Sequence, residues 1–167
     1  MGGPALRGFL AALVMVAPAA AGTLEGRTVT FTVMTWDDPA QPYLQARGRT
    51  VTVGDGVEFG LEPEGFLSGL DVVPVTVEIA PQRIELSYPR GGGRFYEAQF
   101  NGYVLRFETE CALFRAVRID PEFTTMQIQD EDIFTEAGAL YINTSGREYG
   151  PEVRLGLDID VGDCPIS

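Results

Sequence analysis

With 24 acidic side chains against 12 basic ones and a formal charge of −12 over 167 residues, this chain repels phosphate backbones and anionic lipid head groups, which excludes nucleic acid and membrane surfaces as partners. It has no histidine, and all 12 basic residues are arginine. Ser-His and Cys-His nucleophiles, lysine Schiff bases and histidine-ligated metal sites therefore fall away, leaving carboxylates as the one source of acid–base chemistry.

At the start of the chain, Arg7, the apolar stretch Phe9 to Ala17 and the small residues Ala19-Ala20-Ala21 have the charge, length and cleavage pattern of a secretory signal. The apolar stretch is shorter than the roughly 20 residues a spanning helix needs, and Pro18 interrupts it. The expectation is a signal peptide over 1–21 and a mature chain over 22–167. That chain forms a single domain with no integral membrane segment, and is periplasmic or extracellular. Export brings the two cysteines, Cys111 and Cys164, into an oxidising compartment where an even pair bridges. Closing a loop of about 50 residues is worth about 4 kcal/mol in the chain-entropy account.

From Arg27 onward apolar residues alternate with polar ones, the period of half-buried strands. Val29, Phe31 and Val33 share one face, and the parity then passes to Met34 and Trp36, predicting a β-bulge or an edge crossing near Val33. Val51 and Val53 face Val57, Phe59 and Leu61 across Gly54-Asp55-Gly56, which reads as a hairpin. After a turn-rich stretch from Pro63 to Gly69, Val73 to Ile79 and Ile84 to Tyr88 read as short strands set apart by Pro81. The run Pro89 to Gly93 reads as a flexible loop. Beyond it, Asn101-Gly102 between two alternating runs, Arg94 to Phe100 and Tyr103 to Glu108, predicts a second hairpin. Leu113 to Ile119, Thr124 to Ile128 and Leu140 to Asn143 follow as strands. Val153, Leu155, Leu157, Ile159 and Val161 then line one face of the last. Short strands at this spacing, with no helical period, predict an all-β fold, an antiparallel β-sandwich of jelly-roll or immunoglobulin-like type.

Three acidic clusters stand out as sites for a hard cation such as calcium: Asp37 with Asp38, Asp130 to Asp132, and Asp158, Asp160 with Asp163. None has the spacing of a twelve-residue calcium loop, so no cofactor is assigned, and Asp130, Asp132, Asp158 and Asp160 are kept as metal candidates. The segment Asp130 to Glu136 reads as an acidic turn, because its carboxylates lack the alternate spacing that would aim them into one cleft. Trp36, Tyr96, Tyr103, Tyr141 and Tyr149 can serve as packing residues or as a platform for sugar rings. Asn143-Thr144-Ser145 has the pattern of an N-glycosylation acceptor.

The order of Gly56-Val57-Glu58-Phe59, Phe100-Asn101-Gly102-Tyr103-Val104-Leu105, Leu140 to Gly146 and a closing Val153 to Asp158 strand resembles a loose group of small exported bacterial β-sandwich proteins without established activity. The resemblance implies fold and compartment, and no chemistry. Many of that group end in a sorting helix with an arginine-rich end, which the closing Cys164-Pro165-Ile166-Ser167 does not match. The reading that follows is an exported non-catalytic binding or structural module. It contacts protein or glycan through the loops Asp37 to Tyr43, Pro63 to Gly69 and Pro89 to Gly93. The alternative is a carboxylate-dependent glycoside hydrolase.

Overall fold

The computed structural model describes residues 22–60, 73–108, 112–136 and 138–163. The expected signal over 1–21, the loop Pro63 to Gly69 and both cysteines, Cys111 and Cys164, lie outside them. In chain order the strands are β1 (Thr28–Trp36), β2 (Leu44–Gln45), β3 (Arg49–Thr52), β4 (Val57–Phe59), β5 (Thr76–Ala80), β6 (Arg83–Ser87) and β7 (Gly93–Arg94). There follow β8 (Phe100–Phe107), β9 (Ala112–Ile119), β10 (Ile133–Glu136), β11 (Ala139–Asn143), β12 (Glu148–Tyr149) and β13 (Arg154–Asp163), with a 3-10 turn at Asp130–Asp132.

All pairings are antiparallel. One sheet runs β10-β11-β8-β1, with β2 and β3 both on the free side of β1; the other runs β4-β5-β6-β13-β9; β7 and β12 pair apart. The two sheets pack face to face, so the expected all-β sandwich is the fold observed. Alternation builds its core: Val29, Phe31 and Val33 of β1 and Tyr103, Leu105 and Phe107 of β8 meet the inward residues of β5, β6 and β13. Phe31 stacks on Phe59 at 5.0 Å and Phe107 meets Phe114 at 5.5 Å, each pair bridging the sheets. Burying a side chain of this size is worth about 1.5–3 kcal/mol. Among the described residues no helix is long and apolar enough to cross a membrane.

Several local expectations are corrected. β1 keeps one unbroken register with β8 from Val29↔Phe107 to Trp36↔Phe100, so it has no bulge at Val33. Its parity passes from one face to the other because the sheet is covered on both: Val29, Phe31 and Val33 face the sandwich, while Met34 and Trp36 join a second, outer apolar cluster. The irregularity sits on the partner edge, where Ala46 to Gly48 stand opposite Thr32 and Val33 between β2 and β3. Gly48 is needed there, since a Cβ would lie 2.5 Å from the Thr30 Cγ2.

Gly54-Asp55-Gly56 is a crossover rather than a hairpin, because β3 pairs with β1 and β4 pairs with β5 in the opposite sheet. Gly56 supplies the positive φ of 93° that the turn requires. A tight hairpin forms instead at Pro81-Gln82, where Ala80 pairs with Arg83. Asn101-Gly102 is no turn at all; it lies inside β8. A Cβ on Gly102 would come 1.9 Å from the Ile142 carbonyl oxygen, so glycine serves the close approach of β11. The stretch Thr124 to Ile128 is not a strand, because the N–H groups of Thr125 and Met126 both donate to the one carbonyl of Arg154. Of the acidic segment, Asp130–Asp132 is a turn, but Ile133–Glu136 is the edge strand β10.

Candidate functional site

The outward side chains of the six-stranded sheet fall into rows fixed by register. Thr30, Arg106, Ala139 and Glu136 make one row, and Thr32, Val104, Tyr141 and Phe134 the next. Gln45, Met34, Gly102 and Asn143 make a third, and Trp36 with Phe100 close the sequence. Because Gly102 carries no side chain, nothing projects at the middle of the third row. The result is a half-open groove of about 630 Å³ across the sheet, within the usual range for ligand sites.

Its floor is aromatic. Trp36 lies on Phe100 with ring centroids 4.0 Å apart and planes at 11°, and both stand nearly perpendicular to Tyr141. Trp36 and Phe100 are buried. Tyr141 is half-buried, and it stacks flat on Phe134 at 4.8 Å and 4°. Phe134, 40 % exposed, stands on the β10 wall between Glu131 and Glu136, which line the same groove. Arg106 donates to the Tyr141 hydroxyl at 3.5 Å.

Among the described residues the opposite wall is uncharged, with Pro39 and Gln45. The loop bearing Pro39 is anchored by Asp37, whose carboxylate accepts from the Tyr43 hydroxyl at 2.6 Å and the Gln99 N–H at 2.8 Å. The Tyr43 hydroxyl first, and then the Gln99 amide, hold the Asp37 carboxyl below the usual carboxylate range. Asn143 is committed to the scaffold: its Oδ1 accepts from the Asn101 and Ser145 N–H groups, and its Nδ2 donates to the Gln99 carbonyl. Thr144 is fully buried beside it, its hydroxyl donating to the Asn101 carbonyl at 2.8 Å. Gln45 and Gln99 make no side-chain hydrogen bond among the described residues, which leaves two planar amides facing the groove.

The metal candidates are not brought together. Asp132 accepts from Arg147 Nη2 at 2.7 Å and from the Gln129 N–H at 2.9 Å beside the β10 edge. Asp158 and Asp160 lie on the outer face of the other sheet, where Asp158 accepts from Arg83 Nη1 at 2.8 Å. Asp130 is exposed at the head of the 3-10 turn. Among the described residues no group of three or more acidic, cysteine or histidine side chains is placed to hold a metal ion.

The predicted aromatic set divides. Trp36 and Tyr141 enter the groove, while Tyr103 is buried in the core with Tyr88, where burial pushes both phenols up. Tyr149 packs on Phe95 at 5.1 Å, and Tyr96 is 70 % exposed away from the groove. Sequence reasoning missed Phe100 and Phe134 as site residues; the available signal was their parity with Val104 and Glu136. Tyr43, Tyr96, Tyr103 and Tyr149 help line a second hollow of about 660 Å³. Two polar side chains within it, Thr35 and Asn101, are hydrogen-bonded to each other at 2.9 Å. The Arg94 guanidinium and the Tyr96 hydroxyl also line it. Comparison with family models, with curated proteins and with solved structures finds no match to this chain.

Proposed function

We propose that this chain is an exported, non-catalytic module that binds a glycan in the groove on the outer face of its six-stranded sheet. The reading moves recognition from loops to a sheet face. The observation that carries it is the aromatic floor of Trp36, Phe100, Tyr141 and Phe134 beneath the uncommitted amides of Gln45 and Gln99. Sugar rings present a flat C–H face and a hydroxyl edge, and they need both kinds of surface at once. A rigid sheet supplies them with little ordering cost on binding. A second reading, the carboxylate-dependent hydrolase, draws on Glu131 and Glu136 lining that groove.

Trp36 is the only tryptophan in the chain, so its emission reports the groove directly. Titration with soluble oligosaccharides should shift that emission, and calorimetry on the same samples should give a matching affinity. Tyr141→Ala and Phe134→Ala should each weaken binding about tenfold, about 1.4 kcal/mol. Tyr96→Ala, which lies outside the groove, should leave it unchanged. Binding that survives both groove variants places the site elsewhere. Turnover of the bound oligosaccharide that disappears in Glu136→Gln replaces the module with the hydrolase.

A further inference from the structure

We propose that the glycan held in this groove carries protonated amino groups, a claim that rests on the glycan reading above. Among the described residues three carboxylates, Glu108, Glu131 and Glu136, line the groove against one guanidinium, Arg106. All three are exposed, and among the described residues none of them forms an ion pair. The molecule commits arginines elsewhere: Arg83 pairs with Glu85, Asp120 and Asp158, and Arg147 pairs with Asp132. Arg106, the cation at hand, donates to Tyr141 rather than to a carboxylate.

A neutral ligand laid over these carboxylates would strip water from them and return nothing, whereas an ammonium group compensates the loss. Glu131 and Glu136 also bracket the exposed ring of Phe134, and the π face of an aromatic ring adds attraction for a cation. With the amide-bearing wall neutral, the charged groups of the ligand belong on the β10 side. The net charge of −12 draws such a ligand in and turns acidic polysaccharides away. A basic peptide matches the charge but not the surface. The middle of a sheet has already spent its main-chain donors and acceptors in the ladder, so it offers a peptide backbone no partners.

The test compares a glucosamine hexamer with the N-acetylglucosamine hexamer, at a pH where the amines are protonated, by Trp36 emission and calorimetry. The amine form should bind at least tenfold more tightly at low ionic strength, and the preference should shrink as salt approaches about 1 M. Glu131→Gln with Glu136→Gln should cost the amine form at least tenfold, a larger factor than it costs the acetylated one. Both side chains are exposed, so the double variant should fold. Equal or tighter binding of the acetylated hexamer, or a preference indifferent to salt, overturns this inference while leaving the glycan groove standing. Failure of every oligosaccharide to bind sinks both readings, as does binding of an oligo-arginine peptide alone.

Discussion

Gly102 and Asn101 show how one dipeptide can carry a turn signal and serve a strand. Asn101 faces inward and is fully used: its Oδ1 accepts from the Thr35 hydroxyl at 2.9 Å and its Nδ2 donates to the Tyr96 carbonyl at 2.8 Å. Gly102 faces outward, where β11 passes so close that a Cβ would stand 1.9 Å from the Ile142 carbonyl oxygen. Gly102→Ala should therefore destabilise the fold by on the order of 3 kcal/mol, since a backbone contact cannot swing aside as a side chain can. Urea unfolding measures it, and a change under 0.5 kcal/mol, on the order of a neutral surface substitution, would sink the close-approach account. The sequence could not separate the two roles. Asparagine-glycine is favoured in tight turns for its positive φ, whereas here glycine is chosen for the size of a neighbour four decades of residues away. That neighbour is invisible until β8 and β11 are paired.

At the level of elements, outward and inward residues have unequal legibility. The alternation of β13 was readable because only one of its faces is apolar: Leu155, Leu157, Ile159 and Val161 are buried while Asp158 and Asp160 are exposed. β1 is covered on both faces near its end, so its period-two signal dissolves at Met34 and Trp36, the residues that begin the groove. The floor of the candidate site was thus hidden by the feature that makes it a site. The loop after β1 belongs to the same unit, because Asp37 ties it to Tyr43 and to the Gln99 backbone. With those two donors the Asp37 pKa is lower folded than unfolded. This contribution is present above the ordinary carboxylate value of about 4 and is lost as pH falls through the lowered one. Asp37 should titrate below the ordinary aspartate value in a carboxyl-detected NMR series, and Tyr43→Phe should bring it back up. An Asp37 that titrates at the ordinary aspartate value in the native protein contradicts the tether.

At the scale of the whole molecule, the sandwich was legible because strand spacing and the absence of helical period leave few ways to bury a core. The partition of strands between sheets was not. β3 and β4 are neighbours in sequence and lie in opposite sheets, while β1 finds its main partner in β8, so the pairing is decided by long-range packing rather than by turns. The same topology bears on the cysteines. The final register pair of β13 and β9 among the described residues is Asp163↔Ala112, and Cys164 and Cys111 are their immediate chain neighbours. We expect Cys111 and Cys164 to be bonded in the exported protein, because an oxidising compartment pairs an even set of cysteines. Non-reducing peptide mapping should recover one linked pair, and Cys164→Ser should lower stability by about 2–5 kcal/mol. Recovery of either cysteine as a free thiol from natively exported material would refute the bridge. A Cys164→Ser variant as stable as the parent would show that the bridge adds nothing to stability.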